Sequence, residues 1–320
     1  MRQIDVFNGD ADGICALQQL RLAKPLDAEL VTGIKRDIKL LSRVPSAADI
    51  RVTVLDISLD KNRDALNRLL ADGVRVTYFD HHFAGEVPDS ANLAAHIDTS
   101  ANTCTSLIVN RYLNDAHILW AIAGAFGDNL HQAAREAAAS LHLPDEQLLK
   151  LQQLGECINY NGYGLSLDDL HFPPDALFRE IRLYADPFAF INESSSFRTL
   201  ADGYATDIAQ ARDIAPHYEQ DGACVHILPD QPWARRVSGV YGNELARLNP
   251  DRAHALLTET DRGFFRVSVR APLTNKENAD TLCMQFPTGG GRKGAAGINE
   301  LPNAMFDDFV KAFTTTYRGV

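Results

Sequence analysis

Cysteine is scarce and follows no pairing pattern. Cys15, Cys104, Cys157, Cys224 and Cys283 are odd in number, widely scattered and free of any C-x-x-C spacing. That argues against a disulfide framework and a structural zinc site, and leaves reduced thiols in a cytoplasmic protein as the expectation. Long hydrophobic runs are missing too. The longest, Ile118–Phe126, is too short to cross a bilayer, so no membrane partner is expected. A first strand read from Ile4 leaves no room for a signal peptide. Positive charge is in deficit, with 31 Lys and Arg against 42 Asp and Glu and a formal net charge of -11. Gripping long DNA requires a basic track, so long DNA is excluded as a partner. A short anion held by a few arginines and a metal is not. The chain carries no internal repeat and no low-complexity tract.

What is present suits a two-domain enzyme. The 320 residues are 45% hydrophobic and 23% charged, close to the globular average, so each domain can bury its own core. Short β-branched and aromatic runs at Ile4–Phe7, Val52–Leu55 and Val74–Phe79 alternate with helical patterns at Ile14–Ala23 and Lys61–Leu70. This β-α-β order predicts an α/β fold with a mostly parallel sheet, whose ligand site lies beyond the carboxyl ends of its strands. A helical extension follows, with helices expected at Thr103–Leu113, Ile118–Phe126, Gln132–Leu141 and Asp145–Leu154. Asn159–Gly164 reads as a loop. The boundaries expected are a catalytic domain over 1–190, a linker over 191–215 and a smaller α/β substrate-binding domain over 216–320. The last would contain strands Cys224–Leu228, Ala253–Glu259 and Phe264–Arg270, helices near Ser238–Leu248 and Asn303–Phe313, and a glycine loop.

Three predicted strands end on acidic or histidine-rich tips: Asn8-Gly9-Asp10-Ala11-Asp12-Gly13, Leu55-Asp56 and Asp80-His81-His82. Taken singly, Asp12-Gly13 and Asp56 are ordinary helix caps. Their conjunction at one sheet edge predicts a divalent-metal site. Carboxylates with imidazole and no thiolate favour Mn²⁺ or Mg²⁺ over zinc or copper. Asp56 could bridge two ions, a pair suited to in-line phosphoryl displacement. Asp128, at the glycine end of an apolar helix, is a further candidate because a carboxylate there opposes the helix dipole. Lys35, Arg36, Lys39 and Arg43 read as a solvated face.

These motifs resemble the DHH phosphoesterase family, named for the tripeptide Asp80-His81-His82. Asp10-Ala11-Asp12-Gly13 is similar to its first motif, Leu55-Asp56 to its second and Gly127-Asp128-Asn129 to its fourth. Val267–Arg270 and the run Gly289-Gly290-Gly291-Arg292-Lys293-Gly294-Ala295-Ala296-Gly297 resemble the family's C-terminal substrate-binding domain. The resemblance implies two Mn²⁺ ions (or Mg²⁺) held by Asp10, Asp12, Asp56, His81 and Asp128, with His82 on the phosphoryl oxygen and Asp80 orienting a histidine. Substrate phosphate would meet Gly289, Gly290 and Gly291, with Arg270, Arg292 and Lys293 as charged partners. The chain departs from the family at two places. Two or four residues before the first aspartate, where a metal-binding histidine is usual, stand Asn8 and Val6, of which Asn8 offers at best a weaker oxygen ligand, and Arg292 replaces the loop histidine. The implied activity is Mn-dependent hydrolysis of linear dinucleotides such as pGpG, or of short RNA, to mononucleotides. The implied assembly is a homodimer. Two alternatives stand beside it: a phosphatase acting on 3′-phosphoadenosine 5′-phosphate, and a nucleotide-binding regulator without turnover.

Overall fold

The computed structural model describes residues 2–318. The chain divides into two compact units, Met1–Asp202 and Gly203–Val320. In order, the first unit holds β1 (Arg2–Phe7), α1 (Ala11–Ala23), β2 (Glu29–Val31), β3 (Ile50–Leu55), α2 (Leu59–Ala71), β4 (Arg75–Asp80) and β5 (Leu93–Ile97). The helices α3 (Thr105–Tyr112), α4 (Ile118–Gly127), α5 (His131–Ala138), α6 (Asp145–Asn161), α7 (Pro174–Ile181) and α8 (Pro187–Glu193) complete it, and α9 (Ser195–Arg212) carries the chain across the division. That helix lies inside the stretch expected as a linker.

The five strands form one parallel sheet in the order β2-β1-β3-β4-β5. Parallel strands are joined by crossovers that cover the faces, so their residues are apolar on both sides. Accordingly Ile4, Val6, Val52, Val54, Val76 and Tyr78 are buried in one core with Leu59, Leu66 and Leu69 of α2. A second core lies among the helices, built on the apolar α4. Parallel pairing of β1, β3 and β4 in register brings Phe7, Leu55 and Phe79 level with one another. The three motif loops therefore leave the sheet side by side.

The second unit holds β6 (Tyr218–Gln220), β7 (Ala223–Leu228), α10 (Pro232–Leu248), β8 (Ala253–Glu259), β9 (Phe264–Arg270), α11 (Ala279–Cys283), β10 (Gly289–Arg292), β11 (Ala295–Pro302) and α12 (Phe306–Thr316). Its sheet runs β10-β11-β9-β8-β7-β6, antiparallel except for the β7–β8 pair. Alternate residues of β7, β8 and β9 pack with Phe309 and Phe313 of α12 in its core. The glycines expected as a loop are instead the edge strand β10, because Gly289–Arg292 pair with Ala295–Ile298 and the loop shrinks to Lys293-Gly294. Among the described residues no helix is long and apolar enough to cross a membrane.

Candidate metal centre

Asp10, Asp12, Asp56, Asp80, His81, His82 and Asp128 come together at the carboxyl edge of the parallel sheet. Each arrives by a local device. Asp10 is the N-cap of α1, its Oδ1 accepting from the Gly13 amide at 3.1 Å. Asp12, in the first turn of α1, accepts from the first amides of α3: Thr105 N–H donates to Oδ2 and Ser106 N–H to Oδ1, both at 2.7 Å. A carboxylate on a helix N-terminus is favoured by the dipole, and each oxygen keeps a lone pair for a cation. Asp56 follows β3 in the left-handed region, with φ +58°. Aspartate tolerates that conformation better than most residues. Its amide donates to the Phe79 carbonyl at 3.0 Å, and its Oδ1 accepts from Thr105 Oγ1 at 3.1 Å. Asp128 ends α4 as its C-cap.

His81 is the hub. Its Nδ1–H donates to the Thr103 carbonyl at 3.1 Å, a partner that can only accept and so leaves Nε2 with its lone pair. Nε2 lies 3.5 Å from Asp56 Oδ1, 3.8 Å from Asp128 Oδ2 and 4.0 Å from Asp12 Oδ2. Asp128 Oδ2 is buried with no hydrogen-bond partner. Asp56, His81 and His82 each offer a ligand atom within 4.8 Å of the others. A backbone carbonyl fixing the far nitrogen of a histidine is the usual support of a metal-ligating imidazole. The donor set, its orphaned oxygen and its crowding of like charges all fit a divalent cation.

Electrostatics agree. Burial first, then the charges of Asp10 and Asp12, push the Asp56 carboxyl well above the usual range. Asp128 is raised by burial, with Lys35 and His81 pulling the other way. Burial also acts to raise Asp10, but the charge and hydrogen bond of Lys35 and the Gly13 amide bring it below its ordinary value. His82 projects from the cluster with its side chain 42% exposed. Its Nδ1 is 2.7 Å from Asp80 Oδ1. Burial lowers its basicity, yet the Asp80 hydrogen bond and the charge of Asp56 outweigh that and raise it.

One residue at the centre lies where the sequence suggests a solvated face. Lys35, in the loop after β2, sets its ammonium 2.5 Å from Asp10 Oδ2, 2.8 Å from Asn159 Oδ1 and 3.9 Å from Asp128 Oδ1. Burial pulls its basicity down, but Asp10, Tyr163 and Asp128 together raise it above the ordinary lysine value. Asn8 does reach the centre, and its Nδ2 donates to the Lys35 carbonyl at 3.2 Å. The supporting Thr103, Thr105, Ser106 and Asn159 carry no motif, since a neutral residue that serves through one hydrogen bond looks like any other polar residue.

The remaining sequence-predicted residues gather in the second unit. Register places Arg292, Ala295, Arg270 and His254 in one cross-strand row. Arg270 is held by Asn243 Oδ1 at 2.6 Å, Ser268 Oγ at 3.0 Å and the Gly239 carbonyl at 3.3 Å. Lys293 pairs with Glu277 at 3.1 Å, and Arg292 is exposed at the end of the edge strand.

No family model and no curated protein matches the chain. Solved structures do. An exonuclease RecJ bound to manganese superposes with a TM-score of 0.64 at 15% identity, over 100% of this chain and 90% of that one. RecJ from Thermus thermophilus, in complex with Mn²⁺, gives 0.62 at 19% identity, over 99% of this chain, which spans about half (52%) of that protein. The pGpG-specific phosphodiesterase PggH from Vibrio cholerae gives 0.52 at 12% identity, over 99% and 98% of the two chains. The chain shares the fold of these proteins.

Proposed function

We propose that this chain is a divalent-metal-dependent phosphodiesterase of the DHH kind, acting on short nucleotide substrates. Linear dinucleotides such as pGpG, or short oligoribonucleotides, would be cut to mononucleotides. The observation that carries the reading is the convergence of Asp12, Asp56 and Asp128 on His81 Nε2, with an unpartnered oxygen among them. Mn²⁺ is the first ion to try, since two similar folds are described with manganese. A divalent ion there would supply a hydroxide nucleophile at neutral pH and neutralise charge on a phosphoryl oxygen.

The chain's own groups do the rest. Asp12, Asp56, His81 and Asp128 would hold the ion, and Thr103 and Thr105 fix three of them, His81, Asp12 and Asp56, in place. His82, steadied at Nδ1 by Asp80, turns Nε2 to the phosphoryl group. As the bond from phosphorus to the departing oxygen breaks, protonated His82 can give that oxygen its proton. The basic end of β10, at Arg292 and Lys293, would take the substrate's terminal phosphate, and Arg270 would stiffen the strands beside it. Support for a short substrate comes from the acidic whole, which lacks a long basic track, and from the length match to PggH.

The test is hydrolysis of pGpG, pApA, a short RNA and 3′-phosphoadenosine 5′-phosphate with Mn²⁺ or EDTA, beside an Asp80→Ala/His81→Ala control. Mn²⁺-stimulated cleavage of the dinucleotides, lost in the control, is expected. Preference for the monoester would make the protein a phosphatase instead. Nucleotide binding with no turnover on any substrate would sink the enzymatic reading.

A further inference from the structure

The family resemblance implies two metal ions. We propose that the centre takes one divalent ion, beside His81 Nε2, and that the Lys35 ammonium stands in place of a second ion on Asp10. The proposal rests on the metal-dependent reading above. The two halves of the centre differ in what their oxygens do. Beside His81, an imidazole lone pair and the partnerless Asp128 Oδ2 face carboxylates that keep lone pairs. At Asp10, Oδ1 accepts from the neutral Gly13 amide, as the Asp12 oxygens accept from theirs, but Oδ2 already carries a cation, the Lys35 ammonium. A divalent ion lies roughly 2.0–2.6 Å from a carboxylate oxygen. An ion on Asp10 Oδ2 would thus share that oxygen with an ammonium already 2.5 Å from it, and like charges so close repel.

Lys35 is seated from several sides. Its ammonium also donates to Asn159 Oδ1 and lies 5.5 Å from the centre of the Tyr163 ring. Its amide donates to the Gly162 carbonyl at 2.8 Å. Asn8 closes the set. At one of the two positions where the family resemblance calls for a metal-binding histidine, this residue spends its amide N–H on the Lys35 carbonyl. Its Oδ1 has no partner, but one neutral oxygen offers little to offset a neighbouring ammonium. The loss of a ligand at position 8 and the gain of a fixed cation at position 35 are two parts of one exchange. Lys35 supplies charge to Asp10 and Asp128 without offering an open position for water.

Metal-free full-length protein would be equilibrated with excess Mn²⁺, its bound metal counted, and its paramagnetic resonance spectrum recorded. Wild type should hold one Mn²⁺ per chain with the hyperfine pattern of an isolated ion. Lys35→Ala, and Lys35→Gln which keeps much of the bulk without the charge, should double the bound Mn²⁺ and show spin coupling. Two coupled ions in wild type that still hydrolyses dinucleotide would overturn this proposal and leave the phosphodiesterase reading standing. So would a single ion in both variants with circular dichroism unchanged. Absence of both Mn²⁺ binding and turnover in wild type would defeat the two together.

Discussion

Asp80 touches none of the atoms gathered around His81 Nε2, yet it is fully buried at the end of β4 with one oxygen on His82 Nδ1 and the other without a partner. A buried carboxylate with one firm partner costs desolvation, and what that cost yields here is an imidazole of fixed orientation and raised basicity. Asp80→Asn keeps the shape and removes the charge. We expect kcat to fall about 10²-fold or more with KM little changed, in line with the usual contribution of acid–base groups. The sign of the pH effect follows from the direction of the shift. His82 is raised, so it stays protonated to higher pH, and losing Asp80 moves the alkaline limb of the rate profile downward. A pH–rate profile of the variant on pGpG with saturating Mn²⁺ checks both. An unmoved limb would remove His82 from the proton transfer. Lys35 teaches the opposite lesson about legibility. Side-chain type and position made Asp80, His81 and His82 conspicuous, whereas Lys35 sits among other basic residues that do face solvent, and only the loop's path sets it apart.

The element that brings Lys35 to the centre is the stretch between β2 and β3, and its approach depends on glycine. A Cβ on Gly9 would lie 2.0 Å from the Gly33 carbonyl and 2.5 Å from Pro174 Cγ. Main chain at that distance cannot yield by a rotamer change, so Gly9→Ala must push the 33–35 turn away from the Asp10 loop. A loss of about 1–3 kcal/mol, the ordinary range for overpacking, is expected. Thermal unfolding should show it, with Mn²⁺ affinity and metal count measured alongside because Lys35 moves with the turn. An unchanged melting temperature would mean the two loops are not pressed together. The strands that carry the motifs were legible because parallel buried strands are long, β-branched and bounded by polar tips. Ala253–Glu259 and Phe264–Arg270 end where their sequence patterns end. Strand β2 was not legible, for three residues carry no period. Helix α9 was hidden by the Asn192–Ser196 stretch, which reads as a break, and α6 runs on through Asn161 past its expected end. The glycines of β10 read as a turn by composition, yet pairing with β11 makes them a strand, and no local preference records such pairing.

Across the whole chain the two units place their ionisable groups to different ends. The first collects carboxylates and histidines at one sheet edge. The second buries histidine in its sheet: His254 of β8 is 1% exposed, in register with Cys224 of β7 and Arg270 of β9. Burial first, then the positive charges of His226 and Arg252, push the His254 imidazole down to about 4. An unfolded histidine takes its proton near 6.5, so between about 6.5 and about 4 the unfolded chain binds the proton that the folded one refuses. Stability must then fall with pH across that window. At pH 5 the loss relative to neutral pH approaches about 2 kcal/mol from this one group. The opening free energy of residues 253–259, read by hydrogen exchange on the full chain and corrected for intrinsic rates, should be lower at pH 5 than at pH 7.5. His254→Leu has no proton to take and should flatten that dependence, while carboxylate contributions elsewhere persist in both proteins. If the variant loses as much protection as wild type on acidification, the acid sensitivity of this unit lies with other groups. If it does not, a single buried imidazole sets the lower pH limit of the sheet that carries Arg270 and Arg292, apart from any titration at the metal centre.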